Sequence, residues 1–161
     1  MVLQLVTDEL GFEQKLKVAY SAWARGDTLA LVAQCCEDCE FTLVGNAVLN
    51  PHAGLRIGIA GLTEVLAHFH RMFEVREFLI EKIVVKGEDA FVHWHSSLMF
   101  RPNGRVIDSE RCDLIRFRGQ LIHSIKCFYD SASMAITTGR AQVASADART
   151  SPPSSVGLKV S

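Results

Sequence analysis

The chain has 161 residues, 17 Lys plus Arg against 18 Asp plus Glu, and 48% hydrophobic side chains, which describes one soluble domain with enough material for its own core. A net charge of −1 without any basic run argues against a nucleic-acid partner, whose phosphates call for a concentrated cationic surface. No apolar stretch approaches the roughly 20 residues needed to cross a bilayer. The first nine residues carry no basic leader, so a cytoplasmic address is expected. Five cysteines, an odd number, point to reduced thiols rather than a disulfide framework.

Over residues 8–25 the apolar positions Leu10, Phe12, Leu16, Ala19, Tyr20 and Trp23 recur mostly three and four apart, the period of a helix that buries one face. Thr7 or Asp8 is expected to cap it. Gly26 supplies a left-handed C-terminal cap, and Asp27 or Thr28 starts a second short helix over 28–36. A strand follows over 39–44, then a loop over 45–58 that carries Pro51 and Gly54, then a third helix over 61–73. The remainder reads as strands over 78–86, 90–101, 105–117 and 120–129. Their separators, Gly87-Glu88-Asp89, Pro102-Asn103-Gly104 and Arg118-Gly119, have the composition of hairpin turns.

Three helices ahead of a meander predict an α+β fold, a cone-shaped roll in which the helices pack on a curved, mainly antiparallel sheet and enclose a cavity. Beyond residue 130 the composition turns to Ala, Ser, Thr, Gly and Pro. The domain is therefore placed at 1–130, with 131–161 expected as a flexible or loosely docked tail.

No phosphate loop, serine elbow or paired-histidine zinc helix is present, and the Cys-x-x-Cys from Cys36 to Cys39 lacks further ligands at zinc spacing. Neither a metal nor a cofactor is expected, which leaves polar groups on strand faces. Strand 90–101 alternates Phe91, His93, His95, Ser97 and Met99 with Val92, Trp94, Ser96, Leu98 and Phe100. Counting apolar side chains packs the Trp94 side and solvates the histidines, yet imidazole is the side chain suited to proton transfer near neutrality.

On the next strand Ile107, Ser109, Arg111, Asp113, Ile115 and Phe117 share a side, so Arg111 and Asp113 are neighbours on a partly apolar ribbon. Desolvation would raise the Asp113 pKa and pairing with Arg111 would lower it. The first makes a neutral hydrogen-bond donor, the second an ionised base. The last strand offers the interior either Ile125, Cys127 and Tyr129 or Ser124, Lys126 and Phe128, and alternation does not choose between them. Tyr20 and Trp23 read as core or cavity lining.

Several short patterns, Ala24-Arg25-Gly26-Asp27, Gly58-Ile59-Ala60-Gly61-Leu62, Asp113-Leu114-Ile115-Arg116-Phe117-Arg118-Gly119 and Phe128-Tyr129-Asp130, together resemble the SnoaL-like and ketosteroid-isomerase-like members of the nuclear transport factor 2 superfamily over residues 8–130. Matched residue by residue, Asp113 is similar to the protonated acid that hydrogen-bonds the substrate oxygen in ketosteroid isomerase. Leu43 stands where the general-base aspartate of that pattern falls, and Ala19, one residue before Tyr20, where its tyrosine falls. The resemblance points Phe91, His93, His95 and Ser97 into the cavity and turns Val92, Trp94 and Leu98 outward as a homodimer interface. Arg111 and Asp113 also look like the Arg and Asp flanking the water in the limonene epoxide hydrolase branch, with Lys126 or Cys127 near the place of its second aspartate.

The resemblance implies a cofactor-independent isomerase, cyclase, dehydratase or hydrolase working by proton transfer on a hydrophobic polyketide-, steroid- or aromatic-like molecule. His95 or His93 would be base, Asp113 acid, and Arg111 would bias its charge. Tyr20, Trp23, Phe69, Phe73, Phe91, Ser97 and Ile115 would line the cavity. The alternative is a non-catalytic dimeric module that holds a small ligand or a protein partner in the same place.

Overall fold

A computed structural model describes residues 2–142. Helix α1 (Val2–Arg25) buries Phe12, Leu16, Ala19 and Tyr20, the face set by its apolar period. It starts earlier than expected: Thr7 and Asp8 lie inside it rather than capping it, because no Pro or Gly precedes them to stop the helix. At its end Gly26 takes φ +72°. The Gly26 amide donates to the Trp23 carbonyl at 3.0 Å and the Asp27 amide to the Ala22 carbonyl at 2.9 Å, a Schellman closure that needs a residue free of left-handed strain. Asp27 then caps α2 (Thr28–Val32) by accepting the Ala30 amide.

Helix α2 is shorter than the 28–36 expected, and strand β1 (Cys35–Leu43) begins in its place. A one-turn helix gains little on its own, whereas Cys35 pairs with Ile122 of the last strand. The loop expected over 45–58 contains a short edge strand, β2 (Gly54–Ile57), paired antiparallel with β1. Four mostly exposed residues leave no alternation to read. Helix α3 (Gly58–Met72) runs straight into β3 (Phe73–Lys86), followed by β4 (Asp89–Phe100), β5 (Arg105–Arg118) and β6 (Leu121–Tyr129).

The six strands form one curved sheet in the order β2-β1-β6-β5-β4-β3, antiparallel except for the β1–β6 pair. The fold is α+β, with helices packed on one face of that sheet, as expected. The core brings Phe12, Leu16 and Tyr20 of α1 and Leu62 and Leu66 of α3 against Val92, Trp94, Ile115 and Phe117. Within the segment read as a tail, helix α4 (Ser131–Thr137) is capped by Asp130 and buries Met134 and Ala135. The rest of that segment, from residue 143, lies outside the described residues.

Strand β4 corrects the side assignment. Val92, Trp94 and Leu98 are 0%, 3% and 0% exposed, whereas Phe91 is 50% exposed. The Trp94 row therefore faces the helices and is internal, so it cannot form an outer dimer interface. The cause is the β4–β5 hairpin: its closing pair is Phe100 with Arg105, which matches even positions of β4 to odd positions of β5. Trp94 lies opposite Arg111 and Val92 opposite Asp113. Because cross-strand partners share a face, the inward turn of Arg111 and Asp113 sends His93 and His95 outward.

Candidate active site

Between the sheet and the helices lies a predominantly apolar pocket of about 130 Å³, lined among others by Leu31, Leu62, Leu66, Phe69, Phe73, Ile115 and Ile122. Its size is close to the roughly 150 Å³ of an apolar cavity that accepts benzene. The polar groups on its wall are few: Tyr20, Asn50, Trp94, Arg111, Asp113, Cys127 and Tyr129. Most come from adjacent register positions, since Arg111 lies opposite both Trp94 and Tyr129 and Asp113 opposite Cys127. The Ile125, Cys127 and Tyr129 row of the last strand is thus the inward one.

Asp113 is 4% exposed, and its two oxygens differ. Oδ2 accepts the Tyr20 hydroxyl and the Trp94 indole N–H at 2.9 Å. Oδ1 is buried without a hydrogen-bond partner among the described residues. The nearby Cys127 thiol favours the ionised carboxylate but forms no hydrogen bond of normal geometry with Oδ1. Burial pushes the Asp113 pKa up, and the Tyr20, Cys127 and Trp94 contacts with the Arg111 charge pull it back only in part. Burial first, then the Asp113 charge, also keeps the Tyr20 hydroxyl and Cys127 thiol protonated.

Arg111, 7% exposed, stacks its guanidinium over Trp94 at 5.1 Å and over Tyr129 at 5.4 Å. Its Nε donates to Ser109 Oγ at 3.0 Å. Trp94 in turn packs edge-on against Trp23 at 4.8 Å and Tyr20 at 5.5 Å. One indole therefore touches the acid, the cation and the aromatic wall. Toward a second, adjoining space of about 110 Å³, Asn50 Nδ2 donates to the Tyr129 hydroxyl at 2.8 Å.

Of the residues expected at the site, Asp113, Arg111, Tyr20, Trp23, Ile115, Phe69 and Phe73 line the pocket. His93, His95, Phe91 and Ser97 do not. His93 reaches across the outer face to Glu110 at 2.6 Å, and Ser97 is buried away from the pocket wall. Leu43, which stands where the resemblance places a general base, is itself on the wall. Tyr20, the residue after Ala19, bonds Asp113.

Sequence reasoning missed Trp94 and Asn50 as site residues, offered Tyr129 only as one of two alternatives, and missed the pair His52 and His68, whose tilted rings lie 3.9 Å apart on the adjoining space. The signal for Trp94 was present, since its row is the apolar one. All five cysteines, Cys127 on the pocket wall included, are free thiols. Cys36 meets Asp38 and His123, with donor atoms within 4.8 Å of one another, although Arg118 already grips both Asp38 oxygens. No helix among the described residues is long and apolar enough to cross a membrane.

Comparison with known proteins agrees with this geometry. No curated protein matches the chain. Among solved structures, an NTF2-like protein from Burkholderia xenovorans is 25% identical, with a TM-score of 0.68 over 81% of this chain and 97% of that one. A Catenulispora acidiphila protein with a ketosteroid isomerase-like fold, solved with trimethylamine, is 17% identical with a TM-score of 0.66, over 78% and 92%. TerC, co-crystallised with polyporic acid, is 13% identical with a TM-score of 0.70, over 80% and 98%. The family model of the SnoaL-like domain matches residues 17–125, more than half of the chain. With its helices on a curved six-stranded sheet and its NTF2-like neighbours, the chain belongs to the SnoaL-like family.

Proposed function

We propose that the protein is a cofactor-independent enzyme of the isomerase or lyase type, acting on a small hydrophobic carbonyl compound, in which Asp113 serves as the acid. One observation carries the reading: a buried carboxyl on the wall of an apolar pocket has Oδ2 held by two donors and Oδ1 unpartnered. Burial raises the pKa of this carboxyl and so favours its protonated form, which donates from the free oxygen to a substrate oxygen. That bond strengthens as negative charge develops there when a neighbouring bond breaks. Tyr20 and Trp94 fix the carboxyl plane, so little reorganisation is needed at the moment of reaction.

The pocket size favours a molecule of about one ring over the polycyclic members of the substrate range implied by resemblance. In this reading His93 and His95 have no part in the chemistry. The test is a panel of small aromatic ketones and aldehydes assayed for turnover. Asp113→Asn is expected to lower turnover about 10²- to 10⁴-fold, the usual contribution of a positioned acid, while His93→Ala and His95→Ala leave it unchanged. Wild-type turnover in Asp113→Asn would remove the reading.

A second reading, a non-catalytic ligand-binding module, is favoured by Leu43, which puts a side chain unable to accept a proton on the pocket wall. Saturable ligand binding without turnover of any bound ligand would select it.

A further inference from the structure

Arg111 is a permanent cation held inside the fold, and it forms no ion pair among the described residues. The arginine ion pairs that do form, Arg76 and Arg101 with Glu74, Arg116 with Asp89, and Arg118 with Asp38, all lie at the surface. A buried charge without a counter-charge is strongly unfavourable unless something compensates it. What compensates Arg111 here is incomplete: two aromatic faces, one hydroxyl at Nε, and the Cys127 sulfur 4.0 Å from Nη1, a weak acceptor. Nη2 has no hydrogen-bond partner among the described residues.

Asp113 sits two positions along the same inward row, but its Oδ2 is committed to Tyr20 and Trp94 and it makes no ion pair with Arg111. With the Trp94 and Tyr129 rings packed against the guanidinium carbon and Nε engaged by Ser109, the remaining N–H donors are the part left for a ligand. The same side chain lines the pocket.

We propose that Arg111 anchors an anionic group on the ligand, so that the pocket takes a molecule of about one ring bearing a carboxylate. The planar fork of a guanidinium matches two carboxylate oxygens, and the Trp94 and Tyr129 rings with the Nε–Ser109 bond hold it in place before the ligand arrives. The pocket volume limits the apolar part to about a benzene ring. This inference rests on the reading that the pocket holds a small ligand, and is independent of whether Asp113 acts as an acid.

Calorimetric titration of the full chain with phenylacetate, phenylacetamide and acetophenone tests it, using the wild type, Arg111→Lys, Arg111→Met and Asp113→Asn. Phenylacetate is expected to bind about tenfold or more tighter than the isosteric amide. Arg111→Met abolishes that preference, and Arg111→Lys, which keeps the charge but loses the fork, weakens it. An amide that binds the wild type as tightly as the acid, or a wild type that binds no phenylacetate, overturns the proposal. If Arg111→Met does not fold, the wild-type pair and Arg111→Lys decide, and undiminished phenylacetate affinity in Arg111→Lys overturns it. The acetophenone arm separates the two ideas. Ketone binding that is lost in Asp113→Asn while phenylacetate fails to bind retains the acid and overturns the anion site. Arg111-dependent phenylacetate binding without any response to acetophenone supports the anion site and counts against the carbonyl substrate.

Discussion

The molecule holds charge of both signs in two kinds of place. On the outer surface Arg118 grips both oxygens of Asp38, and Arg116 both oxygens of Asp89. Inside, Arg111 and Asp113, two residues apart on one strand face, form no ion pair, and each turns instead to neutral aromatic or hydroxyl groups. The surface pairs have the better fork geometry and the weaker claim on stability, because water and salt screen them. The internal groups have poor mutual geometry and large consequences, because a low-dielectric wall magnifies every unsatisfied bond. Good ion-pair geometry thus marks the places where charge matters least, and the unpaired internal cation beside a buried acid marks the candidate site.

The largest expected effect comes from removing the residue both internal charges share. Trp94→Ala takes away the indole that bonds Asp113, stacks on Arg111 and packs on Trp23 and Tyr20. It should cost about 3–5 kcal/mol in urea unfolding, the range for deleting a large buried aromatic. A cost under 1 kcal/mol would mean that the two charges do not depend on that ring.

Next comes the pH dependence that Asp113 imposes on stability. Its folded pKa is raised by burial, so the folded chain keeps the proton at pH values where the unfolded chain releases it. The contribution is full below the ordinary carboxylate pKa of about 3.9 and is lost as pH rises from there through the raised folded value. The stability difference, wild type minus Asp113→Asn, should therefore fall as pH increases across that window. A flat or rising difference in denaturant titrations would show that Asp113 is ionised in the fold.

The smallest effect is expected at the surface. The Arg118 contact holds the Asp38 carboxyl below its usual range, yet both side chains are more than half exposed. Arg118→Ala should leave the unfolding midpoint at 0.15 M salt within error of the wild type. A clear loss there would erase the contrast between the two kinds of charge.

Much of the fold was legible because its signals are local. The period of Phe12, Leu16, Ala19 and Tyr20 marks a buried helix face, and Gly26-Asp27 ends one helix through the Gly26 backbone and caps the next through the Asp27 side chain. The hairpin separators place three strand boundaries to within one residue. The inward set Ile107, Ser109, Arg111, Asp113, Ile115 and Phe117 also follows from simple alternation. Strand β2 was hidden, since four mostly exposed residues carry no pattern. The start of β1 was hidden too, because Cys35 is a strand residue only through its pairing with Ile122.

The two histidines show where the reading changed. Apolar counting puts His93 and His95 in solvent, whereas the resemblance turns them inward, against the parity that the Phe100–Arg105 closing pair imposes on the neighbouring strand. The separator read from the sequence, Pro102-Asn103-Gly104, would close on Arg101 and Arg105 and give the opposite parity; β4 ends at Phe100 and the turn takes one residue more, and that single residue decides the side.

Which residues alternate, where helices stop, and that an acid and a cation share one strand face can all be read along the chain, since each follows from bonds and periods within a few residues. Only the tertiary structure decided that Tyr20 and Trp94 converge on one oxygen of Asp113 and leave the other free. It also decided that Trp94 and Tyr129 enclose Arg111 without a counter-charge. These contacts join residues 19 and 93 positions apart or lie across three strands, and no local preference encodes the distance at which separately folded elements come to rest.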